Sequence, residues 1–234
     1  MTAPILTHHD GIAVIRDDLF PGGTKARFLP VLFENADEVV YASPAEGGAQ
    51  TALAHAAAAL GKRATIFVAK RKQPHARALE AKRMGARVMQ VEHGYLNVVQ
   101  ARAREYCRRT GALLAPFGVN LPEAIQVIAA AARETGLQPD EVWCASGSGV
   151  LARSLAAAWP DARRHVVQVG RRLTAGDVAG AKIHDAGMPF SRAIRARPPF
   201  PSCPHYDAKA WQLCRQRHGP GLVVFWNVTG PAQP

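Results

Sequence analysis

Lys25 closes the run Pro21-Gly22-Gly23-Thr24-Lys25, which follows the apolar stretch Ile12–Ile15 and the segment Arg16-Asp17-Asp18-Leu19. Two glycines let the backbone turn tightly and come close to a ligand. A lysine held at such a junction can serve as an amine nucleophile or Schiff-base former, whereas one trailing in water merely solvates a turn. On this run alone both readings stand. A second run, Ser146-Gly147-Ser148-Gly149, sits between the strand-like Glu141–Cys144 and a helix former that begins near Val150. In that setting backbone N–H groups, serine hydroxyls and a helix N-terminus make a cradle for a phosphate monoester. No Walker-type lysine follows and the spacing is not G-x-G-x-x-G, so the loop suits one phosphate better than a nucleotide chain.

Two further turns follow strands. Tyr41-Ala42-Ser43-Pro44-Ala45-Glu46-Gly47-Gly48-Ala49-Gln50 leads into an alanine-rich helix pattern, and Phe225-Trp226-Asn227-Val228-Thr229-Gly230 places a hydroxyl just past a buried strand. Ligands of parallel α/β sheets gather at that carboxyl edge. A reactive lysine, a monophosphate cradle and a hydroxyl together describe a site for pyridoxal 5′-phosphate (PLP).

The elements that must position these residues alternate. Strand-like Val39–Ala42, Thr65–Val68, Arg87–Val91, Glu141–Cys144, His165–Val169 and Leu222–Trp226 are separated by helical patterns over Thr51–Leu60, Pro74–Met84, Leu96–Thr110, Leu121–Thr135 and Val150–Trp159, most of them ended by glycine. Ala26–Phe33 also reads as helical. The expected fold is α/β, with two lobes of parallel, helix-covered sheet. Residues 1–36 with 117–234 form the larger, cofactor-binding lobe and 37–116 the smaller one. The proline-rich stretch Ala196–Pro204 is expected to be a loop.

Charge is the unusual quantity. The 234 residues carry a formal net charge of +11, with basic residues clustered at Lys70-Arg71-Lys72, Arg108-Arg109 and Arg192, Arg195 and Arg197. Such a surplus attracts polyanions, and a nucleic-acid substrate or partner follows from it more readily than a small metabolite does. Four scattered cysteines, Cys107, Cys144, Cys203 and Cys214, form no CxxC pair. They read as reduced thiols of a cytoplasmic protein, with neither a disulfide framework nor a metal site expected. No stretch approaches the roughly 20 apolar residues of a membrane span.

The motifs also resemble a family. Arg16-Asp17-Asp18-Leu19 and Gly22-Gly23-Thr24-Lys25-Ala26-Arg27 are similar to the R-D-D-L and G-G-N-K-x-R-K segments of fold type II PLP enzymes, the tryptophan synthase β family. Within it the chain looks most like D-cysteine desulfhydrase and aminocyclopropane carboxylate deaminase. Ala52–Gly61, Met84–Val88, Ser146–Val150, Tyr206–Ala210 and Phe225–Gly230 resemble further family segments, in the family's order. The resemblance implies that Lys25 binds PLP covalently and then moves protons at the substrate's α-carbon. It implies that Ser146, Gly147, Ser148 and Gly149 hold the phosphate, that Thr229 meets the ring nitrogen, and that Gly48 lies among the cofactor contacts. Tyr206 is the second catalytic candidate, a proton donor, while Lys209 reads as a solvated helix residue. A homodimer is also implied.

The sequence departs from the family where the substrate carboxylate is normally gripped. Ala45, Gly48 and Ala49 stand there, leaving Glu46, Gln50 and Thr51 as the hydrogen-bonding candidates for substrate. Val150 replaces a hydroxyl, and the chain is shortened between Val169 and Pro204. Enzymes resembling this family are encoded by phages that hypermodify thymine. The expected function is therefore a PLP-dependent lyase or decarboxylase acting on an amino-acid-modified thymine in DNA, with Arg71, Lys72, Arg192, Arg195 and Arg197 contacting the nucleic acid. A deaminase or desulfhydrase of free amino acids is the alternative. A non-catalytic basic DNA-binding protein that kept the fold is the second.

Overall fold

Short β-branched runs and alanine-rich stretches alternate along the chain, and the computed structural model, which describes residues 3–92 and 94–232, forms them into strands and helices in turn. In order they are β1 (Leu6–His9), β2 (Ile12–Arg16), β3 (Glu38–Ser43), α1 (Ala49–Ala59), β4 (Arg63–Ala69), α2 (Ala76–Arg83), β5 (Arg87–Val91), α3 (Leu96–Thr110), β6 (Leu113–Leu114), α4 (Pro122–Glu134), β7 (Glu141–Ser146), α5 (Val150–Ala158), β8 (Arg163–Gln168), β9 (Lys182–Asp185), α6 (Asp207–Arg217) and β10 (Val223–Asn227). Among the described residues no helix is long and apolar enough to cross a membrane.

The chain divides into two compact units. One comprises the N-terminal residues through Arg27 together with Asn120–Pro231, the other Phe28–Val119. The 3-10 turn Leu29–Phe33 packs on α1, which carries residues 28–36 into the second unit.

In the first unit six strands lie in the order β1-β2-β10-β7-β8-β9, and all neighbours are parallel except the β1–β2 pair. β2, β7 and β10 are buried along their whole length, as parallel strands covered on both faces must be. Their side chains Ile12, Val14, Trp143 and Phe225 pack with Phe200 and the α6 residue Trp211 in one core. The second unit holds a fully parallel four-stranded sheet, β5-β4-β3-β6, with Val99 and Ala103 of α3 pressed onto Val40, Ala42 and Phe67.

The expected helix over Ala26–Phe33 is instead two 3-10 turns, Gly23–Arg27 and Leu29–Phe33. Phe28 between them leaves helical geometry at φ −129°, and Pro30 can begin a turn but not continue a helix through its own position. Strands β1, β6 and β9 were not anticipated. β1 (Leu-Thr-His-His) and β9 (Lys-Ile-His-Asp) are four-residue edge strands without the apolar run that marks a buried one.

Candidate active site

The three motifs singled out first leave the carboxyl ends of β2, β7 and β10, which are neighbours in one sheet. The turn carrying Lys25 follows β2, Thr229 follows β10, and Ser146–Gly149 closes β7 and opens α5. Sheet order alone therefore brings lysine, hydroxyl and cradle to one edge of the first unit.

The Arg16-Asp17-Asp18 segment is the clamp that places Lys25. Asp17 is fully buried and accepts from Arg27 Nε (3.0 Å) and Nη2 (2.6 Å) and from Trp226 Nε1 (3.0 Å). Trp226 Nε1 also donates to Thr24 Oγ1 at 2.9 Å, and Thr24 N donates to Val228 O at 2.9 Å. Arg16 pairs twice with Asp18, at 2.8 and 2.9 Å, and Asp18 accepts from Asn227 Nδ2 at 2.7 Å. Gly23 is required here. Its φ is +67° and a Cβ would lie 2.2 Å from Val228 O, so no other residue lets the turn seat on the end of β10. Substituting Asp17→Ala strands the buried Arg27 guanidinium, and we expect a loss of about 3–5 kcal/mol in urea unfolding, as for other broken buried ion pairs.

At the cradle Gly149 caps α5 in the left-handed region (φ +86°), where a Cβ would fall 2.0 Å from Asp177 O. Its N–H donates to Ser146 Oγ at 2.9 Å. Arg171, a residue the sequence reading passed over, donates from Nε to Gly147 O (3.2 Å) and pairs with Asp177 at 2.6 Å. Arg171 thereby puts a guanidinium beside the loop. Tyr206 accepts the Gly147 N–H on its hydroxyl, and burial holds its pKa well above that of a free phenol. The hydroxyl therefore keeps its proton beside the loop.

The residue that sequence reasoning missed is Asp207. It is fully buried at the start of α6, and Oδ2 accepts Thr229 N–H at 3.2 Å while Oδ1 has no hydrogen-bond partner among the described residues. Burial, reinforced by the nearby Asp18, raises its pKa from 3.8 to about 8. The Val228 and Thr229 N–H groups and the charge of Lys25 oppose that rise. Lys25, itself half-buried, is thus within electrostatic reach of an open, largely protonated carboxyl. The only signal in the sequence was an acid directly after Tyr206, which reads equally as an ordinary residue of a helix's first turn. Lys209, two residues on, is buried and donates to Pro189 O at 2.9 Å, which corrects its reading as solvated.

PLP needs an amine, a phosphate cradle and a partner for its ring nitrogen. Lys25, the Gly149 cradle with no room for a side chain, and the orphaned Asp207 Oδ1 fit that requirement within one unit.

In the second unit the loop after β3 uses its polar groups internally. Gln50 Nε2 donates to the carbonyls of Ala45 (2.8 Å), Gly47 (3.0 Å) and Pro44 (3.3 Å), and Thr51 Oγ1 donates to Gly48 O at 3.0 Å. Both side chains are buried and their donors hold the loop, while Gln50 Oε1 is left without a hydrogen-bond partner among the described residues. Gly48 is the N-cap of α1 and keeps ordinary helical dihedrals. Glu46 is buried and accepts from Arg71 Nη2 at 3.1 Å, while the Arg71 side chain stays half exposed. Lys72 is exposed. Arg192, Arg195 and Arg197 lie in the first unit on an exposed segment, with no ion-pair partner among the described residues.

Comparison with known proteins agrees with this geometry. The family model described as "Pyridoxal-phosphate dependent enzyme" matches residues 3–224. A protein of Pseudomonas phage M6, glycyl-dTMP PLP-dependent decarboxylase, is 26% identical across 76% of each chain. Among solved structures, an ACC deaminase homologue superposes with a TM-score of 0.81 at 18% identity over 98% of this chain and 90% of its own. Threonine deaminase isoform 2 of Solanum lycopersicum superposes with a TM-score of 0.69 at 15% identity, over 96% and 76%. At these identities the superpositions establish a shared fold.

Proposed function

Because the chain belongs to the pyridoxal-phosphate dependent enzyme family, we propose that it removes carbon dioxide from an amino acid carried on a thymine nucleotide. The observation that carries the reading is the convergence of Lys25, the Gly149 cradle and the open carboxyl of Asp207 at three neighbouring strand ends, in a chain similar to a phage glycyl-dTMP decarboxylase.

Pyridoxal phosphate, when bound, supplies a ring that withdraws the electron pair of the bond being broken. Ser146, Gly147, Ser148 and Gly149 bind its phosphate, aided by the N-terminus of α5, and Arg171 adds positive charge at the loop. Asp207 Oδ1, open while Oδ2 accepts the Thr229 N–H, would hold the proton at the ring nitrogen, with the Thr229 hydroxyl as the other candidate for that place. Thr229 and Val228 then position the carboxyl through their N–H groups. When the carboxylate leaves as carbon dioxide, the α-carbon keeps an electron pair, and the Lys25 ammonium donates the proton that completes the C–H bond. The nearby Asp207 carboxyl sets the charge that Lys25 meets during this transfer.

The reading also makes a homodimer, DNA as substrate or partner, and the host cytoplasm as compartment parts of the same proposal. The net charge of +11 supports the nucleic acid. A deaminase of free amino acids draws support from the fold neighbours, whereas the net charge of +11 favours the nucleotide-borne substrate over it. The test is incubation of the PLP-loaded protein with an oligonucleotide bearing a glycyl-modified thymine and, separately, with free amino acids. Mass analysis should show loss of one carbon dioxide from the former, whereas release of ammonia and a keto acid from the latter would replace this reading with the deaminase.

A further inference from the structure

The edge of the four-stranded sheet carries an opening that no step above uses. A cavity of about 260 Å³ is lined by Ala42 near the end of β3, Gln100 and Arg104 on α3, and the segment Leu114–Phe117 that leaves β6. Its wall presents an aromatic ring to water, Phe117 being 38% exposed. That ring is held in place by a turn in an unfavourable conformation. Gly118 and Val119 both take positive φ, 69° and 52°, and a β-branched residue is rare in the left-handed region. The turn is pinned by the Gly118 N–H, which donates to the buried Tyr41 hydroxyl at 3.3 Å. Backbone strain maintained to keep an apolar ring at a cavity mouth is a mark of ligand sites.

The polar groups facing the same cavity are unspent. Gln100 and Arg104 sit one helical turn apart, and neither has a hydrogen-bond or ion-pair partner among the described residues. Arg102, on a different face of α3, is by contrast paired with Glu105 at 2.9 Å. Arg108 continues the row at the next turn and is exposed. An aromatic ring offers a stacking platform for a base, and a carboxamide offers a donor and an acceptor side by side, which can pair with a base edge. A free guanidinium matches a phosphate in two hydrogen bonds, and a second arginine one turn on continues a track for a backbone.

We propose that this cavity binds a thymidylate unit, its base stacked on Phe117 against the Gln100 amide and its phosphate on Arg104. The choice of thymine among the bases rests on the proposed function, while the nucleotide class rests on these residues. The unit can come from a free nucleotide or from a strand of DNA, and Arg108 separates the two sources.

Calorimetric binding of dTMP, thymidine and a single-stranded oligo-dT to the full-length protein tests it. Wild type should bind dTMP about tenfold more tightly than thymidine, and Arg104→Ala should erase that preference. Phe117→Ala, and Phe117→Leu as the variant that keeps apolar bulk, should weaken dTMP and thymidine alike by about tenfold, with melting temperatures near wild type. Oligo-dT tighter than dTMP, with the gain lost in Arg108→Ala, assigns the strand as source. Equal affinities indifferent to Arg108 assign the free nucleotide. Absence of dTMP and oligo-dT binding, or binding unmoved by Arg104→Ala and Phe117→Leu, overturns the proposal. The visible absorption of the lysine-bound cofactor is recorded in parallel. If wild type takes up no cofactor yet binds dTMP through Arg104 and Phe117, the decarboxylase reading fails and the nucleotide site stands.

Discussion

Lys25→Ala removes the visible absorption of PLP-loaded protein and lowers turnover by at least about 10³-fold, combining the loss of a covalent anchor with that of a general acid. Lys25→Arg does the same. It keeps the positive charge, but a guanidinium does not deprotonate in the accessible pH range and cannot attack an aldehyde. Neither change should unfold the protein. The turn is held by bonds among Asp17, Thr24, Arg27 and Trp226 that do not involve the lysine side chain, so both variants are expected to stay folded. Lys209 is the control, because its amine is buried and already donates to Pro189 O. If Lys25→Ala keeps the absorption and Lys209→Ala loses it, the site has been assigned to the wrong amine.

Much of this arrangement was legible in the sequence for a physical reason that also explains the failures. Where an element ends on a backbone requirement, the residue that meets it is visible. α3 runs from Leu96 to Thr110 as expected because Gly111 stops it in the left-handed region (φ 75°), and β5 coincides with Arg87–Val91. The glycines at 23 and 149 were likewise readable as points of close approach. What a side chain does once the fold closes was not readable. Gln50 and Thr51 look like free hydrogen-bonding groups in a glycine-rich loop, and only the path of that loop shows their donors turned back onto its own carbonyls. Lys209 was misjudged in the same way, since α6 has no side-chain cap and its charged, irregular sequence hides that Asp207, Lys209 and Trp211 are all buried. The Phe117 turn carries no warning either, because a positive φ at Val119 violates the preference of the residue.

Asp207→Asn separates stability from catalysis and is the sharpest test of the site. In the unfolded chain this carboxyl ionises near 3.8, and in the folded protein without cofactor it keeps its proton until about pH 8. A pKa raised by folding means that the native state binds a proton the unfolded state has released. The group's contribution is therefore fully favourable below pH 3.8 and is lost as pH rises towards 8, an effect on the order of 6 kcal/mol across the window. Asparagine carries no proton to lose and can still accept Thr229 N–H, so the variant without cofactor should be more stable than wild type at pH 8, and the advantage should vanish near pH 4. Activity should move the other way. An amide cannot hold a charge opposite the ring nitrogen, and removing one preorganised electrostatic partner of this kind typically costs about 10²–10³-fold in turnover. A residue with a purely structural role gives no such opposition, since its loss lowers stability and activity together. If Asp207→Asn is less stable than wild type at pH 8, or turns over at the wild-type rate, the orphaned Oδ1 faces nothing that matters and the ring-nitrogen partner must be sought again at Thr229.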